Sequence, residues 1–226
     1  MPKYRSSPVP FLRGSLHTRR VRGPAGFPGE PPPIPEAAAY DADRAADGYV
    51  GNLTQVWCWR PDVMASFWRV LAELRAATRL SPREMAVLAV AAAAARGDGY
   101  CALAWGARLA RLCGEPTAAA LLRGLDPDLP EREAALVSWA RQVAGDPNGT
   151  TESDVDRLRR AGLGDREIFE ATAFVAFRLA FGTVNDAVGA RPDRQLAEEV
   201  PPLVRDAVTY GRPPGDGPPA PLPAIR

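Results

Sequence analysis

The pattern of apolar and polar residues is clearest between residues 80 and 114, where two apolar segments flank a short polar break. Ser81 is a good helix N-cap, Pro82 suits the first helical position, and Glu84 completes a capping box. The run from 84 to 95 is almost entirely apolar. This pattern predicts a helix that is buried on every side.

The polar break at residues 96–99 predicts a tight turn into a second helix, with Asp98 as its N-cap. Tyr100 and Cys101 then lie in the first turn of that helix, and Trp105 lies one turn further on. These two helices form the predicted centre of the fold.

Comparable patterns predict further helices, which begin at Pro61, Pro116, Pro130, Thr151 and Asp165, the last ending near Gly182. Asn185 and Asp186 are assigned to a helix end or a turn. No segment alternates with the period of two that is typical of strands, so the predicted fold class is all-α.

Proline and glycine mark both ends of the chain. Residues 1–35 are predicted to be an extended arm, either disordered or draped over a neighbouring subunit. Residues 36–200 are assigned to the helical domain, and residues 201–226 to a Pro-rich tail. The arm carries the single histidine, His17, beside a basic run.

Composition narrows the possible partners. The net charge of +1 at pH 7 gives no reason to expect nucleic acid or an anionic membrane as a partner. There is no apolar run long enough to cross a membrane and no secretory signal, and three widely spaced cysteines do not form a disulfide framework. A cytoplasmic location is expected, with no metal and no cofactor, since neither a metal-ligand cluster nor a Gly-rich phosphate loop is present.

The stretch from 80 to 105, LSPREMAVLAVAAAAARGDGYCALAW, resembles the core motif of the alkylhydroperoxidase D-like (AhpD-like) and carboxymuconolactone decarboxylase-like superfamily. Redox-active members carry Cys-x-x-Cys at the start of the second helix, with Tyr before the second Cys, His after it and Glu on the preceding helix. Tyr100 and Cys101 match this pattern. Asp98, Trp105 and Ala86 stand where the first Cys, the His and the Glu would be.

The resemblance extends from about residue 49 to residue 193 and includes the NDAVGARPD segment at 185–193. It implies an AhpD-like helical domain built around the central helix pair. It also implies a homo-oligomer whose pockets lie near subunit contacts.

The dithiol chemistry of that superfamily is not expected here. One thiolate must attack and a neighbouring thiol must resolve the product, and Cys101 has no such neighbour at the matched position. Cys113 lies about 18 Å away along a continuous helix, and Cys58 could approach only through the tertiary fold. The Asp98 carboxylate also disfavours a Cys101 thiolate.

The candidate catalytic residues are therefore Asp98, Tyr100 and Cys101, with Asp98 as a general acid or base in an apolar pocket. The candidate pocket residues are Trp57, Trp105, Phe174, Phe177 and Arg178. Structural roles are equally open: Asp98 as an ordinary cap, Cys101 as a small buried residue, Trp105 as a packing residue. Arg178 lies on the solvated back of its helix or binds a ligand carboxylate.

Three functional hypotheses follow. The first is a diverged AhpD-like protein that binds an apolar small molecule and transforms it by acid–base chemistry, as in a lyase, isomerase or cyclase step. The second is a single-cysteine alkyl hydroperoxide reductase that uses Cys101. The third is a non-catalytic binding or scaffold protein.

Overall fold

The computed structural model describes residues 38–215. Within this range the chain forms eleven α-helices and one short 3₁₀ turn, without strands. The helices are α1 (Ala38–Asp47), α2 (Asn52–Trp57), α3 (Pro61–Ala77), α4 (Pro82–Arg96), α5 (Gly99–Cys113), α6 (Glu115–Leu122), α7 (Glu131–Gly145), α8 (Glu152–Arg160), α9 (Asp165–Ala187), α10 (Arg194–Glu199) and α11 (Pro202–Arg205). The predicted all-α class is confirmed.

Helix α4 is the centre of the bundle, and α5, α6, α7 and α9 pack around it. It begins with the predicted capping box, in which the Ser81 side chain accepts from the Glu84 N–H and Glu84 accepts from the Ser81 N–H. Every residue from 86 to 93 is buried, as the apolar run predicted. Gly97 ends the helix in the left-handed conformation, with a φ of 69° that glycine adopts without strain.

A polar contact outside the predicted set ties three helices together. Arg132 on α7 donates to Glu84 on α4 at 2.5 Å and to Glu167 on α9 at 2.6 Å. Burial acts to raise the pKa of Glu84, but hydrogen bonds from Ser81 and Arg132 outweigh it, so the net pKa is lowered. The capping glutamate therefore also anchors α4 to its neighbours.

Helix α9 is longer than the sequence indicated. It was predicted to end near Gly182, but it continues to Ala187, so Gly182 is an internal residue of the helix. Asn185 and Asp186 lie on the last turn of α9, which confirms the helix-end alternative for them. This correction brings new side chains to the site described below.

Part of the segment that was predicted to be a Pro-rich tail packs against the helices. Val204 and Ala207 are almost completely buried, and the Tyr210 hydroxyl donates to the Leu122 carbonyl at 3.1 Å. The segment from 201 to 215 is therefore part of the helical domain. The expected arm at 1–35 and the last part of the expected tail, 216–226, lie outside the described residues.

None of the helices between residues 38 and 215 is long and apolar enough to cross a lipid bilayer.

Candidate functional site

A cavity of about 320 Å³ lies between α4, the N-terminus of α5 and the last turns of α9. Its lining combines small apolar side chains with four charged residues and a thiol. The lining residues are Ala89, Ala92, Ala93, Arg96, Asp98, Cys101, Arg178, Leu179, Gly182, Thr183, Asp186 and Ala187. Exposed residues such as Arg96 and Thr183 mark its open side, while Asp98, Cys101 and Arg178 are buried. We call this space the Cys101 cavity.

Asp98 caps α5 as predicted, and it also reaches α9. Its Oδ1 accepts a hydrogen bond from the Cys101 N–H at 2.9 Å, and only 5% of the residue is exposed. Its other oxygen, Oδ2, is directed at Gly182, where a Cβ atom would overlap it. The glycine inside α9 thus makes room for the carboxylate of α5.

Cys101 lies beside this carboxylate as a buried, free thiol. Its pKa is raised to about 12, because burial and the Asp98 carboxylate raise it by more than the Arg178 guanidinium lowers it. The thiol is therefore protonated at neutral pH, and Cys58 and Cys113 are also free. A protonated thiol without a resolving partner is a poor peroxidatic nucleophile.

Arg178 is buried, which excludes the solvated-back alternative considered from the sequence. Its Nη2 donates to Cys101 Sγ at 3.1 Å. Its guanidinium lies over the rings of Trp105 and Phe181, 5.2 and 5.3 Å from their centroids. Two aromatic faces thereby hold the cation in a fixed orientation at the inner end of the Cys101 cavity.

Asp186 is the functional candidate that sequence reasoning missed. It lies one helical turn after Gly182 and faces the Cys101 cavity. Its pKa is raised to about 6, because burial and the negative charge of Asp98 raise it by more than Arg212 and Arg96 lower it. A carboxyl group that titrates near neutral pH can both take up and release a proton.

Tyr100 does not join Asp98 and Cys101, contrary to the expected catalytic set. Its hydroxyl donates to the Asp193 carboxylate and lines a second cavity of about 610 Å³ beside α1 and α2. Successive helical residues point about 100° apart, so Tyr100 and Cys101 face different sides of α5. Burial raises the Tyr100 pKa far above its ordinary value, and Asp193 raises it further.

The four aromatic residues expected to contact a ligand do not line the Cys101 cavity. Trp57 stacks on Phe181 and donates from Nε1 to Asn185 Oδ1 at 2.7 Å. Phe177 packs edge-on against Phe67, and Trp105 packs edge-on against Phe174. These residues form core contacts, and the cavity wall is instead built from alanines of α4.

Within residues 38–215, no group of three or more His, Cys, Asp or Glu side chains is arranged to hold a metal ion.

Solved structures with this fold include three informative neighbours. An alkylhydroperoxidase AhpD core, peroxidase-related protein from Ralstonia eutropha JMP134, is 26% identical, with a TM-score of 0.65 over 76% of this chain and 96% of that one. A peroxidase-related protein from Silicibacter sp. TM1040 is 20% identical, with a TM-score of 0.65 over 74% of this chain and 90% of that one. The debrominase Bmp8, solved as a cysteine-to-alanine variant in complex with 2,3,4-tribromopyrrole, is 16% identical, with a TM-score of 0.64 over 79% of this chain and 96% of that one.

No protein-family model matches the sequence, and no curated protein matches it. The structural neighbours nevertheless confirm the resemblance read from the sequence: the chain has the AhpD-like fold. Because one neighbour is a debrominase, this fold carries more than one chemistry.

Proposed function

We propose that this protein binds a small, largely apolar molecule in the Cys101 cavity and moves a proton on it, as a lyase, isomerase or cyclase step requires. Asp186 is the proton-transferring group. Asp98 holds the α5 terminus in place, and its negative charge keeps the Asp186 pKa high. The observation that carries this proposal is the pair of carboxyl groups at one cavity, with the pKa of Asp186 raised to about 6.

The cavity walls favour an apolar ligand of modest size. Ala89, Ala92 and Ala93 present methyl groups at one face, and about 320 Å³ is at the lower end of the volumes typical of small-molecule sites. The debrominase Bmp8 was solved with 2,3,4-tribromopyrrole, which is also a small and largely apolar molecule. This likeness supports an apolar ligand, and the position of Asp186 at the cavity supports proton transfer.

The test uses a neutral probe of general-base activity, 5-nitrobenzisoxazole. Removal of its ring C–H proton breaks the N–O bond and releases a coloured cyanophenolate, so the rate can be followed by absorbance. We expect a rate above background that increases with pH through about 6, as Asp186 loses its proton. The Asp186→Asn variant should return the rate to background.

Asp128→Asn is the matched control, because Asp128 is exposed and lines no described part of the Cys101 cavity. A rate that is equal in the wild type and Asp186→Asn would refute the role of Asp186. A rate that is lost only in Asp98→Asn would transfer the role to Asp98.

The single-cysteine peroxidase hypothesis is tested separately. A Cys101 thiol with a pKa of about 12 is almost entirely protonated at neutral pH. We therefore expect negligible hydroperoxide consumption with dithiol reductants. Rapid consumption by the wild type that Cys101→Ala abolishes would replace the acid–base proposal with the peroxidase one.

A further inference from the structure

Arg178 carries a buried positive charge that lacks a carboxylate partner within residues 38–215. It is 8% exposed, and no ion pair to it is formed by any residue between 38 and 215. Its Nε is buried without a hydrogen-bond acceptor in the same part of the chain. Arg132 shows the usual arrangement, since it pairs with two glutamates. Buried guanidinium groups remain charged and are normally paired, so Arg178 needs a counter-ion from elsewhere.

The described groups in contact with Arg178 do not supply that counter-ion, and the Asp98 carboxylate, which caps Cys101, forms no ion pair with it. In the described part of the chain its hydrogen-bond partner is the Cys101 thiol, which burial keeps protonated and therefore neutral. Trp105 and Phe181 provide ring faces, which stabilise a cation without neutralising it. Arg108 also lies over Trp105, so the surroundings add positive charge.

We propose that the ligand of the Cys101 cavity carries a carboxylate that binds Arg178. This inference rests on the proposed function and names its ligand class: a small apolar carboxylic acid. The acid group enters first, because Arg178 is buried while Arg96 and Thr183 border the open side. The hydrocarbon part then lies along Ala89, Ala92 and Ala93.

The geometry of α9 fits this orientation. Arg178, Gly182 and Asp186 are spaced four residues apart and line the same cavity. Eight residues of helix span about 12 Å, so a carboxylate at Arg178 leaves the ligand's carbon atoms between Arg178 and Asp186. Arg178 would bind the carboxylate at one end of the ligand, and Asp186 would exchange a proton with the carbon skeleton towards the other end.

The experiment compares phenylacetate with phenylacetamide, which has nearly the same shape but no charge. Isothermal titration calorimetry on the full chain should show that the acid binds about 10- to 100-fold more tightly, the factor expected for a charge-assisted hydrogen bond. Equal affinities would overturn the proposal. This comparison uses only the wild type, so it does not depend on a variant that folds.

Two arginine variants then locate the effect. Arg178→Met should remove the preference for the acid, so that phenylacetate and phenylacetamide bind with nearly equal affinity. Arg108→Met is the matched control, because Arg108 lies over the same Trp105 ring but does not line the cavity. An acid preference that survives in Arg178→Met, or that Arg108→Met also removes, would refute a specific carboxylate site at Arg178.

The outcome is separable from that of the acid–base proposal. The benzisoxazole probe is neutral and reports on Asp186, whereas the calorimetric comparison reports on Arg178 without any turnover. If the acid preference is absent and the benzisoxazole activity is present, the ligand class is wrong and the chemistry stands. If the acid preference is present without that activity, the cavity binds acids and the catalytic proposal fails.

Discussion

The close approach of Gly182 and Asp98 predicts that Gly182→Ala destabilises the wild-type protein but stabilises a variant that lacks the Asp98 carboxylate. Glycine inside a helix costs about 0.5–1 kcal/mol relative to alanine, so Gly182→Ala would ordinarily stabilise the protein. Here the added methyl group would lie 3.2 Å from the Asp98 carboxyl carbon and would overlap Oδ2. Asp98 must then move away from a position in which it is almost fully buried.

The cost of that movement follows from the contacts that Asp98 makes. Its displacement removes the cap on the Cys101 N–H, which costs about 1 kcal/mol. It also leaves a buried carboxylate poorly hydrogen-bonded, at a further cost of about 1–3 kcal/mol. After the helix-propensity gain is subtracted, we expect Gly182→Ala to destabilise the wild type by about 1–3 kcal/mol.

In an Asp98→Ala background the same substitution should stabilise the protein by about 0.5–1 kcal/mol. Only the Cβ of residue 98 then remains near the new methyl group, at an ordinary contact distance of 3.9 Å. Urea unfolding of the four proteins gives the coupling energy, provided that the m-values agree. We expect a coupling of about 2 kcal/mol or more.

Gly145→Ala is the control, since Gly145 is the last residue of α7 and a Cβ there meets no atom within 4 Å. Its effect should be small and equal in both backgrounds. Additivity of Gly182→Ala and Asp98→Ala within about 0.5 kcal/mol would show that the two residues do not interact, and would refute the close approach of α5 to α9.

Four further predictions concern the Asp186 pKa, the Arg132 ion pairs, the C-terminal segment and the oligomeric state. Arg212→Gln removes a charge that lowers the pKa of Asp186, so the pH midpoint of benzisoxazole activity should move upwards; a downward or absent shift contradicts this electrostatic assignment. Arg132→Met should lower the free energy of unfolding by about 2 kcal/mol at neutral pH. Arg132 helps to lower the pKa of Glu84 below its ordinary value of 4.5. The loss of unfolding free energy in Arg132→Met should therefore shrink as the pH falls through the folded-state pKa of Glu84. A loss that is independent of pH in urea titrations argues against the ion pair. Truncation after residue 203 removes Val204 and Tyr210 and should lower Tm by many degrees. Truncation after residue 215 should leave Tm nearly unchanged. Equal Tm values for the two truncated proteins would show that residues 204–215 do not stabilise the fold. Light scattering should give a multiple of the 24.2 kDa chain mass, and a monomer at micromolar concentration would refute the expected homo-oligomer.

Local sequence signals predicted the parts of the fold that local interactions determine. The start of α4 follows from the Ser81–Glu84 capping box, and the start of α5 follows from the Asp98 cap. Gly182 was misread because a glycine commonly ends a helix. At this position the glycine is required by a side chain from another helix, and such a contact is not visible in the local pattern.

Two of the site assignments could have been improved from periodicity alone. Arg178 is four residues after Phe174 and three before Phe181, which places it on the apolar face of α9, where it is indeed buried. Adjacent residues of a helix point about 100° apart, so different surroundings for Tyr100 and Cys101 could have been expected in advance. The raised pKa of Asp186 could not have been predicted from periodicity, because it depends on how deeply the tertiary fold buries the carboxyl group.

The residues at which the sequence differs from the AhpD-like motif that it resembles make mutually consistent contacts. Trp105 stands at the position of a histidine, and its ring face holds the Arg178 guanidinium where an imidazole would exchange protons. By the same resemblance Asp98 would occupy the position of the first cysteine, and in the structure its carboxylate caps Cys101. The remaining thiol becomes a neutral hydrogen-bond partner of Arg178. Together these residues place a cation, two carboxyl groups and an apolar wall at one cavity, the combination on which the proposed binding of a small organic acid rests.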